Sequence, residues 1–143
     1  MPLIRASGFA WAGAIATEFV GELYWLAGER EKAMRYLRES LGVSERSGMR
    51  YCTGRAYRLL GEVALDSEPS QAVEHFVKSM AICQEIQAEN ELALAYAGYG
   101  RLLQRQGRTA EAREHLTRAL EILERLGTQR EPDKVREVLA RLA

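Results

Sequence analysis

The side chains of this 143-residue sequence best suited to chemistry are two histidines and two cysteines. His75 and His115 stand 40 residues apart, Cys52 and Cys83 stand 31 apart, and no third ligand falls at the short spacing that a zinc site uses. The cysteines therefore read as buried free thiols of a reducing cytoplasm, and the histidines as equivalent members of a repeated pattern. Nucleophilic catalysis needs a nucleophile, a base and an orienting group, and no Gly-x-Ser-x-Gly turn or Cys–His pair is present to supply them. Gly8, Gly13 and Gly21 lie in a helical apolar pattern, not after a strand, so they do not form a phosphate-binding turn. Tyr51, Tyr57, Tyr96 and Tyr99 could stack bases, but their small neighbours and helical spacing fit core packing better. The expectation is a protein without cofactor, metal or catalytic site.

What remains is charge. Lysine plus arginine equals aspartate plus glutamate at 20 each, so the chain lacks the positive excess that draws nucleic acid or an anionic membrane. The long apolar stretch from Phe9 to Leu26 is broken by Glu18 and Glu22, both costly at a bilayer centre, which argues against a membrane span. Protein or peptide partners are the remaining class.

The elements that must carry these charges are helical. Proline occurs only at Pro2, Pro69 and Pro132, Ala, Leu, Glu and Arg dominate, and no alternating β-branched run appears. Helix signals place segments at about 10–26, 30–46, 50–66, 69–87, 90–106, 109–126 and 132–142. Aligning the chain with itself brings Val20-Gly21-Glu22, Leu60-Gly61-Glu62 and Tyr99-Gly100-Arg101 into register, with glycines 40 and 39 residues apart. A second marker, Ala33-x-x-x-Leu37, Ala72-x-x-x-Phe76 and Ala112-x-x-x-Leu116, repeats at the same period. Short breaks separate the markers, with Gly28 and Gly107 suited to a left-handed helix end, Ser67 in the corresponding place, and Pro69 opening the next helix. Each repeat is thus a helical hairpin whose small residues let two backbones approach, and a large side chain at Ala33, Ala72 or Ala112 should splay it.

This pattern resembles the tetratricopeptide repeat over residues 14 to 126. It departs in its period, near 40 instead of 34, and in its aromatic position, which holds Thr17, Tyr57 and Tyr96. Long units of this kind are similar to the repeats of bacterial signalling proteins, including maltose-activator-like regulators and cyclase/ATPase proteins with a repeat tail. The stretch Leu126 to Arg136 resembles the last residues of the cyclase type. The resemblance implies an all-α fold, a right-handed superhelical stack of about three hairpins plus a C-terminal capping helix. Residues 1–143 form one domain, with repeats at about 10–47, 50–88 and 90–127 and the cap at about 131–142.

In such stacks the first helix of each hairpin lines the concave wall. By register with the glycines, a partner-binding groove should contain Glu18, Glu22 and Trp25, then Arg55, Arg58 and Glu62, then Arg101, Gln104 and Arg105. It would run from acidic to basic, with Trp25, Leu59 and Leu65 as apolar contacts, and would suit an extended or helical segment. Tetratricopeptide proteins that clamp chaperone tails use basic residues where this chain has Glu18 and Glu22, so that ligand does not fit.

The first helix carries Trp11, Ile15, Phe19, Leu23, Trp25 and Leu26 all around its circumference, so its outer side needs cover. In a longer parent protein a preceding repeat would supply it; in the chain as given, either Leu3 and Ile4 fold back over it, or a second copy pairs with it through Trp11, Ile15 and Phe19 to make a homodimer. Three functions are therefore open: a peptide- or protein-binding scaffold, a self-association module, and an effector sensor in which Trp25, Arg58 and Arg101 hold an anionic small molecule.

Overall fold

The computed structural model describes residues 2–127 and 130–142, with side chains from 12–127 and 132–142. Among these residues the chain is seven helices: α1 (Pro2–Leu26), α2 (Arg30–Arg46), α3 (Arg50–Ala64), α4 (Pro69–Glu85), α5 (Glu89–Arg105), α6 (Thr109–Arg125) and α7 (Arg130–Arg141). They match the expected segments except at the start, where α1 begins at Pro2. Leu3 and Ile4 therefore continue α1 and do not fold back. Proline is accepted at a first helical turn, and the alanine-rich sequence that follows has no stop signal.

The helices pair as α1 with α2, α3 with α4 and α5 with α6, and each pair stacks on the next through α2 on α3 and α4 on α5. The α7 helix packs on α6, and α3 also touches α1 and α5. The second helix of every hairpin buries one stripe in the same register: Ala33, Leu37, Ser40 and Ser44 in α2, Ala72, Phe76, Ser79 and Cys83 in α4, Ala112, Leu116, Ala119 and Leu123 in α6. By contrast α3 is buried on several sides, because α2, α4 and α5 all press on it.

The two sequence markers touch each other. A Cβ at Gly21 would lie 2.8 Å from Leu37, at Gly61 3.0 Å from Phe76 and at Gly100 2.7 Å from Leu116. The glycines are thus where each first helix comes close enough for the large residue of its partner to seat. Phe76 is squeezed twice, since a Cβ at Gly98 of the next hairpin would also run into its ring. Ser40 and Ser79, equivalent in α2 and α4, each donate a buried hydrogen bond to a carbonyl of the first helix, Ala14 at 2.7 Å and Gly54 at 2.8 Å. The donors are thereby satisfied inside the core.

The breaks close with left-handed residues at Gly28, Gly48, Gly107 and Gly127, and the fifth is a glutamine, Gln87, at φ 57°. Around each of Gly28, Gly48, Gln87 and Gly107 the same two bonds recur, for example Gln87 N–H to the Gln84 carbonyl at 3.2 Å and Ala88 N–H to the Cys83 carbonyl at 2.9 Å. Ser67 needs no such conformation: its N–H bonds the Ala64 carbonyl at 3.2 Å, and Pro69 then starts α4. Because a non-glycine residue in the left-handed region costs about 1–2 kcal/mol, Gln87→Gly is expected to raise stability by about 1 kcal/mol in a denaturant titration. A loss of stability would mean that the Gln87 side chain makes a compensating contact.

Candidate concave groove and its charge network

The first helices α1, α3 and α5, together with α7 and with Leu123 of α6, line a trough of about 400 Å³. Residues at equal register positions face it from successive helices. Arg55 of α3 is followed by Leu94 of α5 and Lys134 of α7, and Glu22 of α1 by Glu62 and Arg101. The α7 helix therefore has a second role beyond capping: Lys134 and Val135 extend the trough as a fourth first-type helix would.

The floor of the trough is a continuous ladder of ion pairs joining three helices. Arg55 contacts Glu18, Glu22 at 3.3 Å and Glu91 at 3.5 Å. Arg58 donates from Nε to Glu91 at 2.8 Å and approaches Glu62 at 4.0 Å, and Arg101 donates to Glu62 at 2.6 Å. Glu91 is 1 % exposed and Glu18 5 %, so these carboxylates are out of water and depend on their arginines. Burial pushes the Glu18 carboxyl above its usual range, with Arg55 pulling the other way. Burial also works against the charge on Arg55, but Glu18, Glu91 and Glu22 outweigh it and hold the guanidinium charged more firmly than in water.

The structure brings six of the nine expected groove residues into the trough: Glu22, Trp25, Arg55, Arg58, Glu62 and Arg101. Glu18 joins through Arg55 and borders a neighbouring notch of about 220 Å³ with Ile15, Phe19, Tyr51 and Cys52. Gln104 is not part of the trough wall, and Arg105 points away to pair with Asp66 on the exposed rim. Leu59 and Leu65 are core residues and not groove contacts, Leu59 against Met34 and Leu37 of α2 and Leu65 beside Phe76. Glu91 escaped the sequence reading because its register position holds Cys52 in the preceding repeat. Its signal was the second of two acids, after Glu89, directly at the head of the apolar run Leu92-Ala93-Leu94-Ala95. Apolar walls flank the ladder, Trp25 and Leu26 at one end and Leu94 and Val135 at the other.

His75 and His115 pack on tyrosines of their own hairpins, His75 on Tyr57 with ring centres 5.9 Å apart and His115 on Tyr99 at 4.9 Å. No group of three or more residues among those described could hold a metal ion. Nor is any described helix long and apolar enough to cross a membrane. Of the expected dimer residues, Ile15 and Phe19 are 41 % and 59 % exposed, and the side chain of Trp11 lies outside the described residues.

The tetratricopeptide repeat family model matches residues 68–125, which hold α4, α5 and α6. Among solved structures, the crystal structure of the apo form of RapI superposes with a TM-score of 0.83 at 23% identity, covering 92% of this chain and 48% of that one. The chain thus spans about half the length of RapI. No curated protein sequence matches it. The first hairpin carries the same Gly and Ala-x-x-x-Leu markers at the same period as the matched segment; residues 68–125 are thus similar to tetratricopeptide repeats, and the chain over nearly its whole length shares the helical-repeat fold of that neighbour.

Proposed function

We propose that the chain is a non-catalytic scaffold that holds a peptide or protein segment in the trough, and that this binding regulates a larger bacterial signalling assembly in the cytoplasm. The observation that carries the reading is the trough itself: a preformed wall of four helices whose charges are already fixed in a ladder, with apolar ground at either end. Fixed side chains lose little entropy when a ligand arrives, and apolar anchors beside a polar floor are how such surfaces gain affinity. A segment of mixed charge with an apolar residue near each end suits it, its acidic portion towards Arg101 and Lys134. Homodimerisation is proposed alongside this, as a property of the α1 face that groove binding does not require.

The test uses a displayed library of random peptides selected on the whole chain. Peptides enriched on the wild type are expected to bind Trp25→Ala at least tenfold more weakly, roughly one anchor's share, and to protect α1, α3, α5 and α7 from hydrogen exchange. Peptides that bind Trp25→Ala equally well, or that protect α2, α4 and α6 instead, would overturn the reading. The volume also falls within the range of small-molecule sites. A melting-temperature rise with an anionic compound, lost in Arg101→Gln, would favour an effector sensor instead.

A further inference from the structure

The ion-pair ladder on the floor of the trough is not balanced. Among the described residues it joins four carboxylates, Glu18, Glu22, Glu62 and Glu91, to three guanidiniums, Arg55, Arg58 and Arg101. Arg55 by itself serves three of the four, Glu18 at Nε, Glu91 at Nη1 and Glu22 at Nη2. A carboxylate short of counter-charge is tolerated at the surface and costly in the interior.

The surplus falls on Glu18. Glu91 is held by Arg58 as well as by Arg55, and Glu62 lies between Arg101 and Arg58. Glu22 has Arg55 only, but 29 % of its side chain is exposed and water shares its charge. Glu18 has Arg55 only and is 5 % exposed. Its other neighbours offer no relief. Glu91 acts on it as a like charge and outweighs Arg58, and Glu22 stands one turn along the same helix as another. Tyr51 and Cys52 of α3 border it in the notch, and burial pushes both the phenol and the thiol up, so they stay neutral in acid. From α2, Leu37 and Ser40 meet this stretch of α1 at Gly21 and Ala14, Tyr36 stacks on Tyr24, and none of the three carries a charge.

We infer that Glu18 takes up a proton under mildly acidic conditions and thereby turns the trough from balanced to positive, a pH-sensitive control on what it binds. The uptake is a property of the free chain; its effect on binding rests on the scaffold reading above. With Lys134 of α7 included, the trough and its ladder hold four cations against four anions, and the proton removes one anion. Arg55 keeps Glu22 and Glu91, so the wall stays in place while its guanidinium is shared by two carboxylates instead of three. An acidic residue of a bound segment then meets one more unit of positive charge. Burial, the largest influence on Glu18, pushes its carboxyl up against the pull of Arg55. The folded chain therefore binds this proton more tightly than the unfolded chain does. Glu18 favours folding most below the ordinary carboxylate range, and that contribution is lost as pH rises through the raised value.

Carbon NMR of the glutamate carboxyl groups on the full chain tests the uptake without any ligand, with Glu18→Gln identifying the signal. The expected midpoint for Glu18 lies above the ordinary value of 4.5, and Glu22→Gln, which leaves Arg55 to two carboxylates, should lower it. In denaturant titrations from about pH 5 to about pH 7, Glu18→Gln should gain stability relative to the wild type as pH rises. A Glu18 midpoint at or below 4.5, or a Gln variant that loses ground with rising pH, overturns the uptake. A midpoint unmoved by Glu22→Gln overturns the shared arginine as its cause. Peptides selected on the trough that carry an acidic residue should bind the wild type several-fold more tightly at about pH 5.5 than at about pH 7, beyond any change seen with Glu18→Gln. Equal pH dependence in the two proteins overturns the control of binding and leaves the uptake intact. A selection that yields no such peptide overturns the scaffold reading and the control with it, while the carboxyl titration stands or falls by itself.

Discussion

Phe76→Ala is expected to destabilise the chain by about 3–5 kcal/mol, the range for removing a fully buried aromatic ring, and to lower Tm by on the order of 10 °C. Phe76 is 0 % exposed and packs among Ala64, Ala72 and Leu102, with the Tyr99 ring 6.5 Å away. Its position raises the effect. The ring sits between Gly61 of its own hairpin and Gly98 of the next, so it serves both the closure of one hairpin and the stacking of two. Alanine would leave a cavity bordered by two glycines with no side chain to move in, and such a site relaxes little. Stability in a repeat stack is a sum of hairpin and interface terms, so the variant should also lose cooperativity, with residues 89–125 melting apart from the first four helices. Calorimetry with hydrogen exchange on α3 and α5 checks both parts. A loss below about 1 kcal/mol would show that the neighbouring helices collapse onto the space.

Glu91→Ala is expected to cost about 3 kcal/mol, at the low end for breaking a buried ion pair. The reason lies in what stays behind. Arg58, itself buried, loses its 2.8 Å partner and keeps only Glu62 at 4.0 Å. Arg55 retains Glu18 and Glu22, which limits the damage on that side. The double variant Arg58→Met with Glu91→Leu should recover most of the loss, because removing both charges also removes the desolvation that the pair must offset. A double-mutant cycle by denaturant titration measures the coupling directly. Equal losses in the single and double variants would mean that the aliphatic stem of Arg58, and not its charge, holds α3 to α5.

The sequence by itself determined the period, the helices and which faces meet. Small residues at Gly21, Gly61 and Gly100, with Leu37, Phe76 and Leu116 four places past an alanine, leave one way to pack a hairpin, and steric fit of that kind is local enough to be read from spacing. It also showed that the first helix is apolar around its circumference and so is built to be covered on more than one side. Tertiary structure decided the partners of the charges. Glu91 lies 36 residues from Arg55 and 33 from Arg58, in a repeat whose predecessor has a cysteine at that place, so no periodicity could announce the ladder. Structure also decided that Leu59 is core while Phe19, its equivalent, is bare. The residue types at the two places are alike, and only the presence of a preceding helix separates them. Ion pairs and burial depend on what lies across a gap, and that is set by how the hairpins stack, not by any one of them.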